Sequence, residues 1–199
     1  YVNKMDRMGA NFFDVVEQIS SKLGANPVPL QIPIGAEENF KGIVDLVTNK
    51  AYEWDEASNG TIIREIPIPH DIQNEVAEYR LKLIEGVAEE REDLLEKYLE
   101  DENLITVEDI ISAIREATIN LKITPVLCGS SFRNKGVQRL LDAVTLYLPS
   151  PLDKNAIGGK NPINNNEELR QPDEKTPFAG LIFKIATDPF VGKLAFFRV

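Results

Sequence analysis

The chain has little material for redox, metal or covalent chemistry: its 199 residues include one cysteine, one histidine and one tryptophan. A lone thiol forms no internal disulfide and cannot build a metal site from thiolates, which fits a reducing, cytosolic setting. Cys128 closes the apolar run Pro125-Val126-Leu127-Cys128, where a small buried side chain is a better reading than a reactive thiol. His70 follows Pro67-Ile68-Pro69 in a turn-like stretch, with no visible partner for a general base. No apolar run approaches the roughly 18–20 residues of a membrane-spanning helix, and no basic-then-apolar leader opens the chain. With 43% apolar residues, the chain can bury a sizeable core in one or two domains.

A basic surplus is also missing. The net charge of −10 argues against a nucleic-acid grip built on phosphate neutralisation. The acidity is local: residues 71–120 hold 15 acidic and 5 basic side chains, and the remainder holds 17 of each. That asymmetry predicts a modular chain with one acidic segment.

Periodicity supplies the elements. Phe12, Val15, Val16, Ile19 and Leu23 repeat at helical spacing, with Asn11 as the starting cap and Gly24 as the stop. Short β-rich runs follow at 28–35, 41–48, 51–55 and 61–67, with Ser58-Asn59-Gly60 as the best hairpin turn. They predict a small, mostly antiparallel sheet in which Tyr52 and Trp54 pack rather than form a stacking platform. Residues 71–89 then read as a helix with Ile72, Val76, Tyr79, Leu83 and Val87 on one stripe. Its opposite side carries Glu75, Glu78, Lys82, Glu85 and Glu89. A shorter helix is predicted over 92–100, and a third opens on Thr106 and Asp109 and runs along Ile110, Ile114, Ala117 and Leu121.

The unit 28–121 thus reads as a self-contained acidic α+β module. Around it the pattern is α/β, with a buried strand at 122–128, a polar loop, and an amphipathic helix at 137–148 through Val137, Leu140, Leu141, Val144 and Leu148. Residues 153–175 read as a linker, and 176–199 as β-structure. A chain that starts on the last residues of one strand and stops inside another is expected to be part of something larger.

The chemistry is carried by Asn3-Lys4-Met5-Asp6, which follows the apolar pair Tyr1-Val2. Alone, these residues fit a surface turn. Together with a second strand running into a Gly-Ser loop and a helix, they form a pair of loops at the carboxyl ends of strands, where α/β sheets bind ligands. The Asp6 carboxylate can accept from the ring N1–H and the exocyclic amino group of guanine, and adenine offers no such donor pair on that edge. Asn3 can bridge to the base or to the other loop, and the aliphatic stem of Lys4 can lie across the ring face.

Asn-Lys-Met-Asp at 3–6 resembles the guanine-specificity motif of the GTPase superfamily. Residues 126–132 (Val-Leu-Cys-Gly-Ser-Ser-Phe) resemble its second guanine loop, with Ser131 where the family usually has alanine and uses the backbone N–H. More specifically, the chain resembles the elongation factor G family of translational GTPases. The phrases at 3–12, 27–47, 95–100, 126–151 and 183–199 follow that family's order. Asp6 and Ser130 lie 124 positions apart, as an insert between the two motifs requires.

The resemblance implies an α/β partial P-loop GTPase domain (1–27 and 122–152), an acidic α+β insert (28–121), a linker (153–175) and the first strands of a β-barrel domain (176–199). It implies GTP or GDP as ligand, with the base held by Asn3, Lys4, Asp6, Ser130 and Ser131. The parent would be a cytoplasmic, ribosome-dependent GTP hydrolase that drives tRNA and mRNA movement. No G-x-x-x-x-G-K-[ST] occurs here, and the one D-x-x-G spelling, Asp6-Arg7-Met8-Gly9, belongs to the base motif rather than to a loop that would position water and magnesium. The phosphate and magnesium sites are therefore expected upstream, no catalytic residue is assigned, and the chain alone is expected to be inactive. The family's insert is associated with the ribosomal stalk protein, which makes Glu75, Glu78 and Glu85 a possible docking face; a solvated exterior is the plainer reading. Two alternatives stand: a non-catalytic acidic binding module, and a related factor such as release factor 3, a ribosomal protection protein or a recycling paralogue. Exposed Phe178, Leu181, Phe183, Phe196 and Phe197 would favour association of the chain with itself.

Overall fold

The computed structural model describes residues 1–101, 104–153 and 156–199. They form two compact units, 1–148 and 149–199.

The first unit opens with helix α1 (Phe12–Leu23), capped by the Asn11 side chain and ended by Gly24 in the left-handed region. Strand β1 (Pro27–Pro29) pairs in parallel with β6 (Thr124–Val126). Strands β2 (Gln31–Ile34), β3 (Gly42–Asp45), β4 (Lys50–Trp54) and β5 (Ile63–Ile66) form a four-stranded antiparallel sheet in sequence order. The run 28–35, read above as one strand, is therefore two strands in two sheets. Leu30 makes the break by donating its N–H to Val126 and accepting at its carbonyl from Leu46, one bond to each neighbourhood.

Helices α2 (Gln73–Ala88), α3 (Glu92–Glu100), α4 (Val107–Ile119) and α5 (Val137–Tyr147) complete this unit. Helix α1 and α2 pack on β1, and α4 packs on β6, α2 and α5. Val76, Leu83 and Val87 of α2 are buried, with Ile72 and Tyr79 half-buried at the margin, as the stripe predicts. The Phe13 and Tyr79 rings stack with centroids 5.0 Å apart and join α1 to α2. Arg80 donates to the carbonyls of Leu46 and Val47 and so fastens α2 to the turn after β3. Trp54, Ile43, Leu46, Ile110 and Ile114 lie at the centre of the core. A fully buried side chain of this size contributes roughly 1.5–3 kcal/mol.

Five expected core positions lie outside. Leu23 is the last residue of α1, and Leu121, beyond the end of α4, sits at φ 59°; both are exposed. On α5, Leu141 and Val144 are exposed along with Leu148, while Ala143 and Tyr147 are buried, so the helix is rotated from its predicted stripe. Cys128 is fully buried, and burial pushes its thiol pKa up, the behaviour of a packing residue.

In the second unit, β7 (Ile157–Lys160) pairs with β8 (Glu167–Arg170), and β9 (Leu181–Asp188) with β10 (Gly192–Arg198), both antiparallel. The β7–β8 hairpin lies within the stretch read as linker, of which 154 and 155 fall outside the described residues. Its strands are Gly- and Glu-rich and give no β signal. Its turn is held by Asn161, whose Oδ1 accepts from the N–H of Ile163 and whose Nδ2 donates to Glu168. Phe178, Leu181, Phe183, Phe196 and Phe197 are exposed, with Phe178 edge-on to Phe197. Among the described residues, no helix is long and apolar enough to cross a membrane.

Candidate nucleotide-base site

The site begins with three neighbouring chain segments. Val2 forms a parallel bridge with Cys128, donating its N–H to Leu127 at 2.7 Å and accepting from Gly129 at 3.0 Å. On its other edge the same segment pairs with β1, so 124–129 runs between Val2 and β1. Two loops leave this sheet from its carboxyl end.

The first loop turns at Lys4, which takes a left-handed φ of 64°. The Met5 side chain is buried and anchors the turn; its N–H donates to Gly129 at 3.1 Å and its carbonyl accepts from Glu37 at 2.9 Å. The Glu37 carboxylate in turn accepts from the N–H of Gly9 at 2.7 Å. Asn3 and Lys4 are exposed, and the Asp6 side chain is partly covered.

The second loop is closed by Ser130 and Lys135, which exchange backbone hydrogen bonds of 2.8 and 2.9 Å. Gly129 is required here, since a Cβ would lie 2.3 Å from the Lys135 carbonyl oxygen and 2.2 Å from the Tyr1 hydroxyl. Ser130 is buried, and its Oγ has no hydrogen-bond partner among the described residues. Ser131 is exposed.

The loops meet at Asn3, whose Oδ1 accepts the Ser131 N–H at 3.0 Å and the Lys4 N–H at 2.8 Å. Arg133 Nε stands 3.7 Å from the Asp6 carboxylate, a second link between the loops. The five residues singled out in the sequence are thus drawn into one place. The departure from expectation is that the Ser131 N–H, foreseen as a donor to the base, is held by Asn3. Asp6 keeps its acceptor capacity, because a pair at 3.7 Å with a mostly exposed arginine is weak. Its carboxylate and the Asn3 amide fit a guanine base by donor and acceptor type, and the Lys4 stem offers apolar surface for a ring face.

Sequence reasoning missed Lys135, which is buried although it stands in a polar loop. Its Nζ donates to the Phe40 carbonyl at 3.0 Å and to the Glu56 carboxylate at 2.9 Å. Gly60, at φ 72°, accepts at its carbonyl from Asn134 Nδ2 and Gln138 Nε2, and Gln138 Oε1 accepts from the indole N–H of Trp54. The only sequence signal was Ser58-Asn59-Gly60 as a turn, with nothing to show what lay against it. A cavity of about 430 Å³ adjoins this contact, lined among others by Phe40, Trp54, Glu56, Arg64 and Lys135.

The acidic residues of α2 are partly engaged within the chain. Glu78 pairs with Lys82, and Glu85 accepts from the Tyr98 hydroxyl at 2.8 Å. Glu75 has its pKa raised by burial and by the neighbouring Glu78.

A mixed α/β fold with paired base-type loops above parallel strands defines a partial GTPase domain. The chain belongs to the family described as the elongation factor Tu GTP-binding domain, which matches residues 1–150. It is 59% identical over its whole length to a protein of Amoebophilus asiaticus (strain 5a2) named Elongation factor G, and 54% identical to one of that name from Cytophaga hutchinsonii. It spans 28% of the length of each of these relatives. A crystal structure of a Thermus thermophilus protein superposes on 99% of this chain and 26% of its own, with TM-score 0.73 and 28% identity. The resemblance to elongation factor G read from the sequence therefore holds across the chain.

Proposed function

We propose that this chain is the base-recognition part of a cytoplasmic, ribosome-dependent GTPase that drives tRNA and mRNA movement during elongation. The carrying observation is the hydrogen bond from the Ser131 N–H to Asn3 Oδ1, which joins two loops at the carboxyl ends of parallel strands. Asp6 accepts from guanine N1–H and the exocyclic amino group, Lys4 covers one ring face, and Asn3, Ser130 and Ser131 set the loop that borders the base. GTP would supply the bond that is hydrolysed. The groups that hold its phosphates and magnesium belong to the parent protein outside these residues, so the chain alone is inactive.

In this reading 1–27 and 122–152 belong to the GTPase domain, 28–121 is its insert, 153–175 links, and 176–199 opens a β-barrel. The insert's Glu75, Glu78 and Glu85 provide an acidic face for the ribosomal stalk protein, with no sequence-specific nucleic-acid contact.

The deciding experiment is Asp6→Asn in the full-length protein, assayed by competition between guanine and xanthine nucleotides. An amide can donate to the extra xanthine carbonyl, so preference should move toward xanthine. Unchanged discrimination removes Asp6, and with it this reading, from the base site.

A further inference from the structure

We propose that Lys135 is a positioning residue for base recognition: its buried ammonium ties the loop presenting Ser131 to the turns that precede β3 and follow β4, which thereby govern how fast a guanine nucleotide leaves. The inference rests on the base-recognition role given above to the two loops.

Lysine is seldom buried unless its charge is paired, because removing it from water is costly. Lys135 is 5% exposed and is paired twice, to the Phe40 carbonyl at 3.0 Å and to Glu56 at 2.9 Å. An apolar side chain could fill that space without this cost, but it could not fix direction and distance as two charge-assisted hydrogen bonds do. What they fix is the closing residue of the loop, since the Lys135 backbone pairs with Ser130, the neighbour of Ser131.

A second contact acts on the same loop. The Gly60 carbonyl accepts from Asn134 and Gln138, and a Cβ on Gly60 would lie 2.6 Å from the Arg133 carbonyl oxygen. The hairpin 55–62 therefore touches the loop at 133–135 and the first turn of α5 at 138. Displacing the hairpin displaces Ser131, and the Asn3 acceptor with it. Glu56 is exposed while Lys135 is not, so the pair can be broken from its glutamate end without opening the core.

Dissociation of fluorescent GDP from the full-length protein, followed by stopped flow, tests the assignment. Lys135→Met should raise the dissociation rate about tenfold with little change in association, as position-setting contacts act on the off-rate. Glu56→Gln should raise it about threefold, because the Phe40 carbonyl still holds the ammonium, and the double variant should exceed Lys135→Met by less than about twofold. The melting temperature of nucleotide-free Glu56→Gln should stay at the wild-type value, which separates positioning from loss of structure. Should Lys135→Met fail to fold, Glu56→Gln decides alone. A GDP off-rate within about 1.5-fold of wild type in Glu56→Gln and, where it folds, in Lys135→Met overturns the proposal, provided Asp6→Asn has shifted preference toward xanthine. If Asp6→Asn leaves guanine preference intact, the base-site reading fails first and this inference falls with it.

Discussion

The Ser131 N–H donates to Asn3 Oδ1 at 3.0 Å across 128 residues of sequence, and this bond closes the two base-type loops on each other. Removing the acceptor with Asn3→Ala should cost about 1 kcal/mol of stability, the net worth of one such bond. The sharper signature is local. Amide hydrogen exchange at Ser131 should accelerate about fivefold or more while the amides of β3 and β4 keep their protection. Equal acceleration across the sheet would mean that Asn3 supports the fold rather than the loop contact.

Nucleotide binding by these 199 residues should be weak, with Kd above about 1 μM for GDP, because in the proposed site Asn3, Lys4 and Asp6 would address only the base. Isothermal titration of the isolated chain measures this directly. Sub-micromolar affinity would show that phosphate contacts exist within the chain and would require a different account of the site.

Much of this site was legible in the sequence, for a physical reason. Asn3, Lys4 and Asp6 are short-range signals: a strand end, a turn and a carboxylate in close succession, and the structure turns the chain at Lys4 as they suggest. Caps were legible for the same reason, since Asn11, Gly24 and the Thr106–Asp109 box act within one turn of chain. The rest depends on which distant segment lies opposite. Nothing near Lys135 in sequence indicates Phe40 or Glu56, so a lysine in a polar loop reads as solvated until both partners are in place. The exposed leucines of α5 and Leu121 fail similarly, because periodicity gives the apolar face of a helix but not its neighbour. The β7–β8 hairpin was invisible because Ile157-Gly158-Gly159-Lys160 has almost no side chain to pack and is defined by its register against Arg170 to Glu167.

Gly60→Ala should destabilise the first unit by about 2–3 kcal/mol, combining a strained left-handed backbone with a Cβ set 2.6 Å from the Arg133 carbonyl oxygen. Urea unfolding followed by tryptophan fluorescence suits the measurement, since Trp54 is the sole tryptophan and its indole N–H is bonded to Gln138 beside the contact. A change within about 0.5 kcal/mol would show that the hairpin yields without strain.

Charge reversal at Glu75, Glu78 and Glu85 tests the proposed docking face in the full-length protein. Binding to the stalk protein should lose on-rate by about tenfold and lose most of its salt dependence, as electrostatic steering requires. Because Glu78 pairs with Lys82 and Glu85 accepts from Tyr98, each reversal also disturbs a contact within the chain. The neutral variants Glu78→Gln and Glu85→Gln should therefore preserve folding while removing about half of the effect. Unchanged kinetics in the triple reversal would mark this side of α2 as a solvated exterior.

Acid stability should reveal the start of α4. Lys97, through a 2.9 Å ion pair, and then the Thr106 N–H hold the Asp109 carboxyl down to about 2, below its ordinary 3.8. A folded value below the unfolded one gives stability that is complete above the ordinary value and is lost as pH falls through the folded one. The contribution should therefore persist near pH 5 and drain away between about pH 4 and pH 2. Asp109→Asn should flatten that limb of the stability curve. Thr106→Ala should cost about 1 kcal/mol at about pH 5 through loss of the cap and less at about pH 3, because the Thr106 hydroxyl also donates to the Asp109 carboxylate. Urea midpoints taken at about pH 5 and pH 3 for the three proteins check both effects, and an equally steep acid limb in Asp109→Asn would assign it to other carboxylates.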